Sequence, residues 1–256
     1  MNLTVCLLTH NSQRTLEQVL EPLNSIADEI ILLDSGSTDE TLNIAKKYAI
    51  TPHFSPYQTH GSQMNKAIAM ASHDWVFCLD SDEIIDNDTL NFIQSLKQQP
   101  SEPDINQVWR ISRYWYVLGQ QVRAIYPVSS PDYPVRLFNR NNALFNDRPV
   151  DDKVENLDGS QPVYHVIPGH IRHDTFYSLH EMQNKLNSYT TRLNQYHKLK
   201  PSLWRGVFSA IGAGFKWYLI KGAWRDGSTG VATGLYALQY SFIKYFKAWY
   251  QAQNKS

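Results

Sequence analysis

Apolar and polar positions alternate with two distinct periods along the first hundred residues. Leu3-Thr-Val-Cys-Leu-Leu8 is an apolar run ending in Thr9-His10-Asn11, as expected of a buried strand that delivers its C-terminal end to a loop. Leu16, Val19, Leu20 and Leu23 then recur at helical spacing, and Asp28-Glu-Ile-Ile-Leu-Leu-Asp34 repeats the strand pattern. Strand, helix, strand is the unit that builds parallel sheets. Ser37 and Glu40 have capping-box spacing for a next helix carrying Leu42, Ile44, Ala45 and Tyr48. A third strand over 50–54 is restricted to an edge by Pro52 and Pro56. A helix over 62–71 leads to the buried strand Trp75–Leu79, which runs directly into Asp80-Ser-Asp-Glu83.

Beyond Pro100 the texture changes to Tyr, Trp and Arg in short runs broken by Pro and Asn, which predicts antiparallel strands or long loops to about Asp174. Helical periodicity returns at Ser178 with Leu179, Met182, Leu186, Tyr189 and Leu193, followed by helical stretches over 202–222 and 230–250 separated by Asp226-Gly227. The expected organisation is an α/β domain over 1–175, in two parts of different texture, about 1–100 and about 101–175. A helical extension covers 176–256.

Composition narrows the class. With 256 residues, 42% hydrophobic and 19% charged, the chain is long enough for one sizeable core and unlike a coiled coil, collagen or a disordered chain. Cys6 and Cys78 each sit in an apolar run and read as buried small hydrophobes, not a disulfide framework. Without a basic n-region, a cleavage site or about 20 uninterrupted apolar residues, the expectation is a protein made and kept in the cytoplasm. The balance of 24 basic and 24 acidic residues conceals an asymmetry, because residues 196–256 hold nine Lys or Arg and one acid, Asp226.

Candidate chemistry gathers where strands end. In open α/β sheets ligands bind beyond the carboxyl ends of the strands, here Thr9–Asn11, Asp34–Asp39 and Asp80–Glu83. Asp80 and Asp82 offer oxygen ligands suited to Mg²⁺ or Mn²⁺, although acid-x-acid triplets are also common on solvated turns. Five acids so close repel one another unless a cation sits among them. His173 reads as either a packed residue or a third metal ligand. Arg136 and Arg140 read as holders of a diphosphate or an anionic acceptor, or as solvated surface. No G-x-G-x-x-G follows the first strand and no G-x-x-x-x-G-K-[ST] occurs, which disfavours dinucleotide dehydrogenases and P-loop enzymes. An Asp-nucleophile phosphatase is a minor competitor, lacking a hydroxyl residue two positions after Asp82.

Leu8-Thr-His-Asn11, Asp34-Ser-Gly-Ser-Thr-Asp39, Gly61-Ser-Gln-Met-Asn65 and Asp80-Ser-Asp-Glu83, in that order and spacing, resemble an inverting family 2 glycosyltransferase of GT-A fold. Tyr133-Pro-Val-Arg-Leu-Phe-Asn-Arg140, the acidic segment 150–153 and His173 before a helix resemble, more loosely, its lipopolysaccharide core glucosyltransferase branch. The resemblance implies that Thr9 and Asn11 lie at the nucleotide pocket, that Asp34 contacts the base or ribose and that Asp39 shapes the pocket. Gln63 and Asn65 would border the donor. Asp80 and Asp82 would hold ribose and metal, with His173 as the further ligand. The resembling branch carries His-Glu where this chain has Asp151-Asp152, which makes Asp152, with Asp151 second, the candidate base for an inverting transfer. The activity implied is metal-dependent transfer of a hexose, glucose from UDP-glucose, to the lipopolysaccharide inner core. A polyprenyl phosphate or capsule precursor as acceptor, or nucleotide-sugar binding without turnover, are the alternatives.

The tail adds a partner. Residues 215–221 and 240–250 interleave Lys with Trp, Tyr and Phe, as interfacial helices do on anionic lipid, while an ordinary packed helical hairpin is the competing reading. No nucleic-acid motif is present. The expected location is the cytoplasmic face of the inner membrane, as a peripheral protein, with a homodimer left open.

Overall fold

The computed structural model describes residues 1–149, 151–196 and 199–254. In chain order the elements are β1 (Leu3–Thr9), α1 (Leu16–Leu23), β2 (Glu29–Asp34), α2 (Thr41–Lys47), β3 (His53–Phe54), α3 (His60–Met70), β4 (Trp75–Asp80), β5 (Glu83–Ile85), α4 (Asn87–Lys97) and β6 (Gln107–Val117). Short strands β7 (Gln120–Gln121), β8 (Ala124–Ile125) and β9 (Val128–Ser129) follow, then β10 (Val135–Asn139), β11 (Ala143–Phe145), β12 (Val154–Asn156) and β13 (Val163–Phe176). The chain ends in α5 (Leu179–Tyr196), α6 (Leu203–Ala213), a π-helical segment Gly214–Ile220, a 3-10 turn Ala223–Asp226 and α7 (Gly227–Gln253).

The main sheet has the order β3-β2-β1-β4-β10-β6-β13-β5. β1 pairs in parallel with β2 and β4, whereas β10 is antiparallel to β4 and β6. A parallel half continued by antiparallel strands and followed by helices is the expected α/β fold with a helical C-terminal part. The run Leu3–Leu8 is apolar throughout because both faces of β1 are covered. Leu3, Val5 and Leu7 pack with Leu16, Leu20 and Ile93 on one side, and Cys6 with Met64, Ala67 and Ile68 on the other. Cys6 and Cys78 face each other across the β1–β4 register, both fully buried and both free thiols. Burial, then the neighbouring Cys6, pushes the Cys78 thiol up and keeps it an inert core group.

Two compact units divide the chain: residues 1–113 with 133–173, and residues 114–132 with 174–256. A single cut near 175 therefore misses that 114–132 belongs with the helices. The reason is local chemistry within the second unit. The backbone amide of Arg123 donates to Asp226 Oδ2 at 2.8 Å and its guanidinium pairs with the same carboxylate, while Val117, Val122 and Ile125 share a core with Phe176, Met182, Leu186, Tyr236 and Tyr240.

One local expectation fails for an identifiable reason. Ser37 and Glu40 form no capping box; α2 starts at Thr41 without a side-chain cap because the Ser37 hydroxyl is spent on Asp34. In the aromatic, basic stretch 240–250, Tyr240 and Ser241 are buried, Phe246 and Tyr250 are exposed and the rest is half-buried, with its lysines bonded within the unit. Lys244 donates to the Tyr126 hydroxyl at 3.2 Å, and Lys247 donates to the Asn187 carbonyl and the Thr191 hydroxyl at 2.8 and 2.7 Å. Among the described residues no helix is long and apolar enough to cross a membrane.

Candidate active site

The residues singled out for chemistry fall in the first unit, and all but Arg140 lie at or near the carboxyl edge of its parallel strands. Register fixes this: Thr9 at the end of β1 lies opposite Asp34 at the end of β2, and Leu8 lies opposite Asp80 at the end of β4.

Asp34 is 3% exposed and all four of its acceptor positions are filled by the chain itself. Thr9 Oγ1 and Ser37 Oγ donate to Oδ1 at 3.0 and 2.5 Å, and the amides of Gly36 and Ser37 donate to Oδ2 at 2.7 and 2.8 Å. The turn that aims both amides inward needs φ +102° at Gly36, a left-handed value suited to glycine. Burial pushes the Asp34 carboxyl up, but the Ser37 hydroxyl, the two amides and the Thr9 hydroxyl outweigh it and hold it below the usual range. Asp34 thus serves here to fix the 35–38 turn.

Asn11 and Asp39 tie the loops after β1 and β2 together. Asn11 Oδ1 accepts from the Thr38 amide at 2.8 Å, and the Asn11 amide donates to Ser37 Oγ at 2.9 Å. Asp39 accepts from the Thr41 amide at 3.0 Å and the Gln13 amide at 3.2 Å. On the other flank the Ser12 and Ser81 hydroxyls meet at 2.6 Å, joining the β1 loop to the Asp80–Asp82 turn.

The α3 residues divide. Gln63, buried, accepts from Ser55 Oγ and Lys66 Nζ at 3.1 and 3.2 Å and donates to the Ser55 carbonyl at 2.8 Å, fastening α3 to the loop after β3. Asn65 spends its amide on the backbone of Phe145, donating to the carbonyl at 2.8 Å and accepting from the N–H at 3.0 Å. It clasps β11 and does not present that amide to a donor.

The chain's own cations neutralise the acid cluster. His60, in the first turn of α3, bridges the two carboxylates of greatest interest: Nδ1 lies 2.8 Å from Asp152 Oδ2 and Nε2 lies 3.0 Å from Asp80 Oδ1. Burial opposes its charge, yet the Asp80 carboxylate and then the hydrogen bonds to Asp152 and Asp80 raise its pKa to about 10. The Asp80 carboxyl, raised by burial, is in turn held far below the usual range by His60, Arg136 and His173. Glu83, fully buried, accepts from Arg113 Nη1 at 2.7 Å and from Arg136, while its other oxygen accepts from the Asp80 amide at 3.2 Å.

Arg136 is therefore not a surface ligand for a diphosphate. It is 3% exposed and locked between Glu83 and Asp80, its charge sustained against burial chiefly by Glu83. Arg140 lies at the opposite end of β4, where its guanidinium donates to the Ile68 carbonyl at 3.2 Å and faces Asp74.

His173 Nε2 lies 3.1 Å from Asp82 Oδ2, so the two face each other as an imidazole–carboxylate pair. Asp80, Asp82 and His173 are not drawn into a three-ligand cage, because Asp80 turns to His60 and Arg136; among the described residues no group of three or more His, Cys, Asp or Glu is arranged to hold an ion. An oxygen–nitrogen pair nevertheless fits a divalent ion that completes its shell with substrate phosphates.

Asp152 comes from the loop between β11 and β12, whose ends are tied by hydrogen bonds of 2.8 and 3.2 Å between Asn146 and the Lys153 backbone. Asp151 beside it is exposed, with φ +57°. Val150, which opens this acidic segment, lies outside the described residues. The approach of the loop to α3 depends on Gly61, where a Cβ would sit 2.6 Å from the Asn146 carbonyl oxygen and 3.4 Å from Asp152 Cβ. Gly61→Ala is expected to push the loop off α3, costing about 1–3 kcal/mol of stability and, through a misplaced Asp152, about 10²-fold in rate. Urea melts and turnover assays check both; unchanged turnover would show that the Asp152–His60 contact is dispensable.

Sequence reasoning missed His60. Starting the helix at Ser62 left it in a loop, yet Thr59 is the N-cap, its hydroxyl accepting from the Ser62 amide at 3.2 Å. Reading Thr59 as a cap would have put His60 in the first turn.

The family model described as "Glycosyl transferase family 2" matches residues 4–129. An uncharacterised glycosyltransferase of Rickettsia typhi is 26% identical over 192 residues, covering 72% of this chain and 64% of that protein's length. The lipopolysaccharide core biosynthesis glycosyltransferase LpsC of Rhizobium meliloti is 24% identical over 253 residues, covering 93% of this chain and 87% of LpsC. Among solved structures, residues 1–349 of Staphylococcus aureus TarS are 14% identical, covering 100% of this chain and 92% of that one with a TM-score of 0.43. With the four amino-terminal motifs set around one strand edge and the family model matched across them, residues 4–129 of this chain match glycosyltransferase family 2.

Proposed function

We propose that the protein is a metal-dependent inverting glycosyltransferase that moves a hexose, glucose from UDP-glucose, onto a lipopolysaccharide inner-core acceptor at the cytoplasmic membrane face. The observation that carries the reading is the convergence of Asp80, Asp82 and Asp152 on one strand edge of a family 2 chain, with His60 linking the donor-side carboxylate to the loop carboxylate. Similarity to LpsC along most of both chains supports the acceptor class.

In this reading Asp82 and His173 would hold Mg²⁺ or Mn²⁺, with Asp80 beside them kept charged by His60 and Arg136. The ion, when bound, neutralises the charge that develops on the departing diphosphate. The chain's own residues do the rest. Thr9, Asn11, Asp34 and Asp39 keep the nucleotide-side loops in one conformation through their mutual hydrogen bonds. Asp152 takes the proton of the acceptor hydroxyl as the anomeric carbon acquires oxocarbenium character, and His60 aims that carboxylate. Charge complementarity to the basic tail supports an anionic lipid surface as the place where the acceptor is met.

Calorimetric titration of UDP and UDP-glucose with and without Mn²⁺ tests the donor side. Wild type is expected to bind in a metal-dependent manner and Asp82→Ala to lose the metal-dependent part. Absence of binding under every condition overturns the reading, and release of UDP from UDP-glucose without acceptor separates an enzyme from a binder.

A further inference from the structure

The α6 helix packs in an inverted way. Its buried residues are small, Gly206, Ala210 and Ala213, followed by Trp217 in the π-helical segment. They let α6 lie close against α7: a Cβ added at Gly206 would already sit 3.3–3.4 Å from Phe242 and Tyr245. The large apolar residues point away from this contact. Trp204 is 70% exposed and Phe208 69%, and Ile211, Phe215, Leu219 and Ile220 are also exposed. Steps of four, three, four and four from Trp204 to Leu219 put five of them on one stripe. A core helix does the opposite, and a soluble surface seldom tolerates an apolar stripe of this extent without a use for it.

The charges around the stripe have one sign. Arg205, Lys216, Lys221 and Arg225 are all exposed. The sole acid in residues 196–256, Asp226, is turned to Arg123. Aromatic and aliphatic side chains flanked by cations match an anionic bilayer surface, where the apolar groups enter the acyl boundary and the cations meet headgroup phosphates. A second copy of the chain would bring four more cations against these four, which costs binding instead of adding to it.

We infer that the outer face of Trp204–Ile220 is the surface that inserts into anionic lipid. This deepens the membrane reading above and centres it on α6, because Lys247 of the 240–250 stretch is tied to Asn187 and Thr191 while the large apolar side chains of 204–220 other than Trp217 face outward.

The test uses the full chain and vesicles of phosphatidylcholine with or without about 30% phosphatidylglycerol, an anionic lipid whose surface attracts each nearby cation by roughly 1 kcal/mol. Wild type is expected to sediment with the anionic vesicles and to be released at high salt. Trp204→Ser with Phe208→Ser is expected to lower partitioning at least about tenfold, since two large side chains leave the interface, while Tyr250→Ser binds as wild type does. The thermal midpoint of the double variant should match wild type, because both side chains are solvent-facing. If the double variant binds as tightly as wild type, this face is not the anchor although the membrane reading stands. If wild type stays in solution, both fall. Equal binding to neutral vesicles overturns the role of the cations, and concentration-dependent dimers abolished by the double variant, without vesicle binding, assign the face to a second copy. Transfer to a soluble acceptor is read separately, so its loss bears only on the proposed reaction.

Discussion

Glu83→Ala is expected to destabilise the protein by about 3–5 kcal/mol, because removing one partner of a buried ion pair strands the other charge. Glu83 is fully buried, and its carboxylate neutralises both Arg113 and Arg136 while accepting from the Asp80 amide. Alanine leaves two guanidinium groups facing each other, with Arg136 nearly solvent-free. Arg136 then has one acidic partner among those shown for it, Asp80, at 3.3 Å. Glu83→Gln keeps the shape and the acceptor oxygen, so its loss should be smaller, and combining Glu83→Met with Arg136→Met should recover part of the loss by removing charge of both signs. Urea denaturation at constant m-value measures all three. A Glu83→Ala loss below about 1 kcal/mol would place the pair in the class of surface bridges and contradict the burial argument.

The same cluster shows what was legible in the sequence. Strands β1, β2 and β4 and helix α1 were readable because burial on both sheet faces leaves uninterrupted apolar runs, and helical spacing survives within eight residues. The crowding of Asp34, Asp39, Asp80, Asp82 and Glu83 was equally visible, as was their need for compensating charge. What supplies that charge was not. His60, Arg113 and Arg136 come from α3, β6 and β10, elements whose placement beside the acids no local pattern encodes. Arg136 looked like a surface ligand because β10 lies in aromatic, polar sequence; only the β4–β10–β6 order buries it. Likewise Asn65 sits in a motif that suggests the donor side, yet its amide matches the backbone of a strand eighty residues on.

The tail illustrates a different limit. Interleaved cations and aromatics marked 215–221 and 240–250 alike, since composition does not distinguish a face that packs from one that does not. The distinction lies in the small residues. Gly206, Ala210 and Ala213 recur at helical spacing and turn α6 inside out, whereas α7 presents Tyr236, Ala237 and Tyr240 to the core.

Asp152→Asn is expected to lower turnover by about 10²–10⁴-fold, the range for loss of a general base, with UDP affinity unchanged. The carboxylate needs a position, a free oxygen and access. Its Oδ2 is held by His60 Nδ1 at 2.8 Å and its side chain is 15% exposed, which leaves Oδ1 to meet an acceptor hydroxyl. Asparagine preserves volume and the Oδ acceptor for His60 but cannot take a proton, so the variant separates chemistry from architecture. Asp152→Glu, the residue type of the resembling branch, should retain measurable turnover at a reduced rate because the added methylene shifts the oxygen. Asp151→Asn should be mild, since Asp151 is exposed. His60→Gln supplies a donor to only one of the two carboxylates, so it should lower kcat while leaving the KM for donor nearly constant, the signature of a positioning residue. These kinetics, read alongside calorimetric UDP binding, identify the base: wild-type turnover in Asp152→Asn removes Asp152 from the mechanism, and loss in Asp151→Asn with retention in Asp152→Asn transfers the role to its neighbour.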